Sequence, residues 1–284
     1  MQNFQFYSAS SIDDALKYLT DTENPCKIIA GGTDLIPMLR NEDINPDSVL
    51  DILEIEPLRG IVETDDTVRI GPTTTFTEMV ESEVLNRFFP ILVQAASNVG
   101  GPQIRNRGTL GGNIVTASPA ADVLPALMAL DVELELQSKK SGVRLLPLTD
   151  GIESAYRTRL RADEIVTGIL IKKLPGGTRS GFEKLGRRKA MARARMNMSV
   201  VLCFEKDWTV SDVRVVPGAV MPVAKRMKAA EKVLLGVKPE EALVRAAGEV
   251  MVQEILKITG IRWSTEYKMP VVRNIFERVV GQLT

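Results

Sequence analysis

Two adjacent glycines, an asparagine amide, several hydroxyls and one carboxylate fall within the stretch from Gln103 to Asp122, which also carries Arg105 and Arg107. Adjacent glycines let a backbone turn with positive φ and approach a ligand closely, because no Cβ stands in the way. Their N–H groups can then converge on an anionic oxygen as a nest. A second loop of this kind lies upstream, Ala30-Gly31-Gly32-Thr33-Asp34-Leu35. Two glycine-pair loops flanked by hydroxyl residues suit a ligand with two or more phosphates and a polyol, which describes a dinucleotide. Asp122 closes the longer stretch. An ionised carboxylate accepts hydrogen bonds and cannot donate them, so beside a diphosphate it would serve hydroxyls or ring N–H groups. Its plainer role is to cap the apolar helix that follows.

What is missing narrows the chemistry further. None of the 284 residues is histidine, and Cys26 and Cys203 are the only cysteines. Histidine-based acid–base catalysis, Ser-His-Asp triads and most zinc sites are thereby excluded, as is thiolate ligation of an iron–sulfur cluster by this chain alone. Any redox chemistry must reside on an organic cofactor, and neither a catalytic side chain nor a metal site is expected. Lys plus Arg and Asp plus Glu are equal at 36 each, so no overall field draws nucleic acid or an anionic membrane. The basic run from Arg187 to Arg195 reads as a solvated or partner-facing loop, able to add positive charge near an anionic cofactor. The first residues lack a basic and an apolar region of a secretory signal, no apolar run approaches the ~20 residues of a membrane span, and a cytoplasmic protein is expected.

The elements that must hold these loops are legible from periodicity and punctuation. Ser10-Ser11 can cap a first helix in which Ile12, Ala15, Leu16 and Leu19 recur at helical spacing. Cys26–Ala30 reads as a buried strand running into Gly31-Gly32, and Pro37 is tolerated only if a helix starts close before it. The first glycine pair therefore sits on a strand–turn–helix unit, where amides and the helix dipole favour phosphate. Short strands are expected at Asp47–Ile52 and Thr67–Gly71. Thr74 or Thr75 caps a helix from Phe76, and one of these hydroxyls could also line a polyol or ring site. A helix over Pro90–Ser97, an apolar helix over Ala120–Leu130, a hairpin of Glu133–Gln137 with Val143–Leu146 and an apolar strand over Asp163–Ile171 complete the first part. Leu174-Pro175-Gly176-Gly177-Thr178 punctuates the chain. Beyond it come strands at Gly181–Gly186, Ser199–Glu205 and Trp208–Val216. Helices follow over Val223–Leu235, Pro239–Ala247, Glu249–Ile258 and Ser264–Val280, an α+β order.

In this order and spacing the sequence resembles the FAD-binding medium subunit of the molybdenum hydroxylases, of the xanthine dehydrogenase and carbon monoxide dehydrogenase type. The matching marks are Ala30–Leu35, Thr109-Leu110-Gly111-Gly112-Asn113 and Ser118-Pro119-Ala120-Ala121-Asp122. Gly181-Phe182-Glu183-Lys184 with Arg187-Arg188, and Ser264–Lys268 leading into Val272–Arg278, match further on. The resemblance implies an α+β protein: a two-part FAD-binding domain of the PCMH type over residues 1–175, then a small C-terminal α/β domain over 176–284. It implies that Ala30, Gly31, Gly32, Thr33, Asp34 and Leu35 form one diphosphate loop and Thr109, Gly111, Gly112 and Asn113 the other. Asp122 would contact FAD through polar groups. Ile165 or Val166 would lie against the flavin ring, Lys184 close to it, and Thr75 at a cofactor-lining position. The implied role is electron transfer from iron–sulfur clusters of a small partner subunit, itself served by a molybdopterin large subunit, to NAD or another acceptor. A self-contained flavin oxidoreductase and a cofactor-less assembly subunit are the alternatives.

Overall fold

The computed structural model describes residues 3–21, 26–188 and 191–284. Met1, Gln2, 22–25 and the Lys189-Ala190 part of the basic run lie outside the described residues.

The chain begins with a small parallel sheet of β1 (Gln5–Ser8), β2 (Cys26–Ile29) and β3 (Ser48–Asp51), in the order β1-β3-β2. Parallel neighbours need crossover connections, and α1 (Ile12–Asp21) provides the first, burying Ala15, Leu16 and Leu19. The second crossover contains the first glycine pair and α2 (Leu35–Arg40).

A larger antiparallel sheet follows. It is built from β4 (Ile61–Glu63), β5 (Thr67–Ile70), the hairpin β6 (Glu133–Ser138) and β7 (Gly142–Pro147), and, after a short β8 (Ile152–Ser154) and β9 (Arg157–Thr158) pair, β10 (Glu164–Lys172). The strand order is β4-β5-β10-β6-β7. Between β5 and β6 the chain makes six helices: α3 (Phe76–Glu81), α4 (Glu83–Phe88), α5 (Pro90–Ser97), α6 (Pro102–Arg105), α7 (Leu110–Thr116) and α8 (Val123–Ala129). α9 (Leu148–Gly151) follows β7. A register shift between Val166 and Gly168 bulges β10. The bulge resets the inside–outside alternation of the strand. Ile165 consequently packs in the small-sheet core with Leu16, Leu50 and Leu58, while Val166, Ile169 and Ile171 join the main core.

The C-terminal part is the antiparallel sheet β11 (Arg179–Leu185), β12 (Met196–Phe204) and β13 (Val210–Gly218), with α10 (Lys228–Leu234), α11 (Glu241–Thr259) and α12 (Thr265–Leu283). Successive side chains of a strand face opposite ways, and β12 is buried on both faces. Met196, Met198, Val200 and Leu202 pack with the C-terminal helices, whereas Val201 packs with α8 residues in the core of the first part. Val216 on β13 does the same. The two parts therefore share a dry seam.

Sequence and structure differ at several boundaries. The helix expected over Val223–Leu235 is confined to Lys228–Leu234, because the Met227 amide is tied to Val215 O of β13. The helices expected on either side of Gly248 are one, α11. The glycine lets α12 approach, since a Cβ there would lie 2.8 Å from Arg273 Cγ. Trp208, expected in a strand, instead takes φ of 70° in the turn before β13. The α+β class is as expected from the sequence.

Candidate functional site

The two glycine-pair loops meet. A Cβ on Gly31 would sit 1.8 Å from Arg107 O and 3.1 Å from Gly108 Cα, so the first loop lies against the backbone leading into the second. Gly32 turns the chain with φ of 72°, in the region that favours glycine. Below the loops, Asp34 Oδ2 accepts from Thr116 Oγ1 at 3.1 Å, fastening the start of α2 to the end of α7.

The loops differ in what they offer. Among the described residues, the amides of Gly31, Gly32, Thr33, Asp34 and Leu35 donate to no protein acceptor. In the second loop the amides are already engaged: Leu110 N donates to Thr74 O at 2.9 Å, Gly111 N to Pro72 O at 2.8 Å, and Gly112 N to Thr109 Oγ1 at 3.2 Å. The expectation that both pairs present a nest of free amides is corrected here. Gly111 is required by packing, because a Cβ would lie 2.6 Å from Pro72 Cβ. Gly112 keeps an open side, its added Cβ meeting only Thr109 Oγ1. Asn113 adds a buried Oδ1 with no hydrogen-bond partner.

Thr75 settles the choice left open between two caps. It caps α3 with a full capping box: Thr75 Oγ1 accepts from Glu78 N, and Glu78 Oε2 accepts from Thr75 N at 2.7 Å. Thr74 Oγ1 instead exchanges hydrogen bonds with Gly60 N and O. Thr75 also pairs with Thr109 in an isolated antiparallel bridge, so it supports the second loop from behind.

At the far end of α7, which spans ~10 Å at 1.5 Å per residue, lies a charged cluster. Asp122 occupies the N-cap position of α8, yet its side chain caps nothing. Its Oδ2 accepts from Lys184 Nζ at 2.6 Å and its Oδ1 from Asn197 Nδ2 at 3.3 Å. The Lys184 ammonium also donates to Asn98 O at 2.8 Å. Asp122 and Lys184 side chains are 8% and 7% exposed, so the pair is nearly desolvated. Burial pushes the Asp122 carboxyl upward, against the pull of the Lys184 ammonium and the Asn197 amide. Beside the cluster a cleft of about 510 Å³ is lined by Asn98, Gly100, Gly101, Arg105, Lys184 and Met191, among others.

Ile165 and Val166, expected against a flavin ring, are both buried, at 1% and 5% exposure. Asn98 and Asn197 were not singled out from the sequence. The signal available for Asn197 was a lone amide in the Met196–Phe204 strand, apolar but for Asn197 and Ser199.

Taken together, free loop amides, glycines that a Cβ could not replace and an orphaned amide oxygen fit a ligand bringing both anionic oxygens and hydrogen-bond donors, as FAD does. The fold and the site define an α+β dinucleotide-binding protein with a small C-terminal domain. Residues 2–173 match the family model for the FAD binding domain in molybdopterin dehydrogenase, and residues 181–283 match that for the CO dehydrogenase flavoprotein C-terminal domain. The chain is 33% identical over 276 residues to the nicotine 6-hydroxylase medium subunit of Paenarthrobacter nicotinovorans, covering 97% of this chain and 95% of that one. It is 29% identical over 278 residues to the carbon monoxide dehydrogenase medium chain of Hydrogenophaga pseudoflava, covering 98% and 96%. A solved structure of carbon monoxide dehydrogenase from Hydrogenophaga pseudoflava, lacking the Mo-pyranopterin moiety of its cofactor, matches with a TM-score of 0.91 at 29% identity, over 99% of this chain and 96% of that one. The chain belongs to the FAD-binding medium subunits of the molybdenum hydroxylase family. It is the flavoprotein subunit of a multi-subunit dehydrogenase, and its cofactor is FAD.

Proposed function

We propose that this chain relays electrons within such a complex, taking them from iron–sulfur clusters of a small partner subunit and delivering them to NAD or another acceptor. A large partner subunit carrying molybdopterin would oxidise the substrate. FAD, when bound, would supply the redox chemistry, since a flavin can exchange electrons both singly and in pairs. Residues 1–175 would hold the cofactor and 176–284 would close over it, in a cytoplasmic assembly. Among the described residues no helix is long and apolar enough to cross a membrane.

The protein's own share is binding, orientation and electrostatics. Ala30 would lead the strand end into the first loop, and the amides of Gly31 to Leu35 would donate to diphosphate oxygens. Thr109, Gly111 and Gly112 hold the second loop close, and Asn113 Oδ1 would take a donor from the ligand. Thr75 stiffens that loop from behind, and Ile165 or Val166 would lie against the flavin ring. Lys184 and Asp122 bring paired charge to the cleft, where the flavin ring would bind.

One observation carries the relay reading: in a chain without histidine and with two separated cysteines, the described residues include no group of His, Cys, Asp and Glu able to hold a metal. Iron–sulfur centres feeding the flavin would then sit on a companion chain. The test is isolation of the complex from its native source with metal analysis of the companion chains, and acceptor assays with NAD and a quinone. Companion chains carrying iron and molybdenum support the relay. Full substrate oxidation by this chain alone with FAD would overturn it.

A further inference from the structure

The Lys184–Asp122 pair is completed by a third residue. Lys184 and Asn197 are directly opposite on β11 and β12, and Asn197 is opposite Gly218 on β13. The rung faces the first part of the chain, as the neighbouring Val201 does on the same side of β12. Asn197 is fully buried, and its Nδ2 donates both to Ala121 O at 3.2 Å and to Asp122 Oδ1 at 3.3 Å. Only the amide nitrogen can face two acceptors. Its Oδ1 is left without a partner. Gly218 makes the room, because a Cβ there would lie 2.0 Å from Asn197 Oδ1 and 2.5 Å from Pro125 Cγ. A buried side chain with an orphaned oxygen is a poor choice for filling a seam. Its two donors account for its presence.

One of those donors acts on a carboxylate that burial would otherwise drive towards its neutral form; the other holds the amide in place on Ala121 O. Lys184 is the charged group bearing on Asp122. Of the other cations lining the cleft, Arg105 is turned to Val99 O and Gly100 O, Arg188 donates to Met191 O, and Arg187 adds a further guanidinium that does not figure among the groups acting on Asp122. Whether Lys184 acts as a bare cation or as half of a neutral pair therefore depends on whether Asp122 stays ionised.

We propose that Asn197 is a positioning residue of the flavin site: by holding the Asp122 carboxylate ionised and aimed at Lys184, it keeps the ammonium charge compensated and so sets the reduction potential of the bound flavin. This rests on the flavin lying in the cleft beside Lys184. A compensated ammonium stabilises the electron-rich reduced ring less than a bare one. Loss of the Asn197 donors lets Asp122 take a proton, which uncovers the charge and raises the potential.

The test uses the full chain in two forms. In the flavin-free chain, aspartate carboxyls labelled with carbon-13 are titrated by NMR, with Asp122→Asn assigning the Asp122 signal. In Asn197→Leu the Asp122 carboxylate gains at least about tenfold in proton affinity, the scale of one lost hydrogen bond to a charged group. Asn197→Ser, which keeps one donor, falls between. In the FAD-loaded chain, the midpoint potential of each variant is followed against pH. The Leu variant shows an added inflection at the pH where its Asp122 titrates, with a potential above wild type on the acid side. Titrations and potentials that superimpose on wild type in both variants would overturn the proposal and leave Asn197 as packing. Should the Leu variant not fold, the Ser variant decides by the same two readings. A wild-type chain that takes up no FAD would refute the flavin site itself, and the proposed effect on potential with it, while the titration arm still reports on the Asn197–Asp122 bond.

Discussion

Replacing Gly31 by alanine tests the contact on which the cofactor site is built. The new methyl would be placed 1.8 Å from Arg107 O and 2.7 Å from Arg107 C. Both are backbone atoms, so no side chain can rotate away. Ordinary contact requires the loops to part by roughly 1.5 Å, and overpacking of this kind costs about 1–3 kcal/mol. For a domain of this size about 2 kcal/mol lowers Tm by roughly 4–8 °C. The larger effect falls on the ligand. The Gly31–Leu35 amides, which have no protein acceptor among the described residues, would be displaced by more than a hydrogen bond tolerates. Losing one bond to a charged phosphate, at about 1.5–3 kcal/mol, weakens FAD binding by at least about tenfold. The assay is titration of the flavin-free chain with FAD by fluorescence quenching, alongside thermal unfolding without FAD. Gly112→Ala is the internal comparison, since its Cβ meets only Thr109 Oγ1, at 2.9 Å. It should unfold within a few degrees of wild type. A Gly31→Ala chain with wild-type FAD affinity and wild-type Tm would refute the account of two loops in contact around the cofactor.

Other perturbations probe the scaffold and the charged cluster. Glu164 is buried and accepts two hydrogen bonds from Arg144, at 2.7 and 2.9 Å, which with the Arg161 amide hold its carboxyl below the usual range. That stability is present above the unfolded carboxyl value near 4.3 and is lost as pH falls through the lower folded value. In urea titrations across pH, Arg144→Met should lie about 1–3 kcal/mol below wild type at neutral pH and converge with it in acid; a constant offset would refute the assignment. For Asp122 the sign is opposite, since its folded carboxyl is raised. Lys184→Met should therefore lose stability as pH rises above the unfolded aspartate value near 3.9, by about 3–5 kcal/mol once the stranded carboxylate ionises. Lys184→Met with Asp122→Asn should recover most of it, and equal losses in the single and double variants would sink the pairing. Thr75→Ala should cost about 1 kcal/mol as a lost cap, read by Tm. An accompanying rise in FAD Kd beyond about threefold, that is, more than about 0.6 kcal/mol, would show that the hydroxyl also serves the cofactor.

How much of this was legible depended on whether the cause was local. The helix over Pro90–Ser97 was read at its observed bounds because proline opens it and Gly100-Gly101 punctuates the chain just beyond it. β6 was read from the strict alternation of Glu133–Gln137, with Val143–Leu146 taken as its hairpin partner. β1 was missed since all four of its residues are exposed, and its partner β3 lies 40 residues on, beyond any local pattern. The choice between Thr74 and Thr75 turned on Gly60, which occupies the Thr74 hydroxyl from 14 residues away. Asp122 carried the sequence marks of a cap, and only tertiary structure brings Lys184 within reach of it. The residue types of the site were thus visible in advance, but the pairings among them were set by strands far apart in the chain.

The two glycine pairs illustrate why identical dipeptides cannot be assigned identical jobs. At Gly31-Gly32 the chain leaves β2, turns at a positive φ and enters α2 at Leu35. The first amides of a helix have no partner within it, and here no capping side chain takes them up. At Gly111-Gly112 the same dipeptide lies inside the first turn of α7, where Pro72 O and Thr109 Oγ1 already satisfy the donors. The first pair therefore leaves its donors open among the described residues. The second supplies proximity, Gly111 to the Pro72 backbone and Gly112 to whatever occupies its open side. An anionic ligand bound here would be gripped by one loop and accommodated by the other. The contact of Gly31 with Arg107 O is what keeps grip and clearance in register.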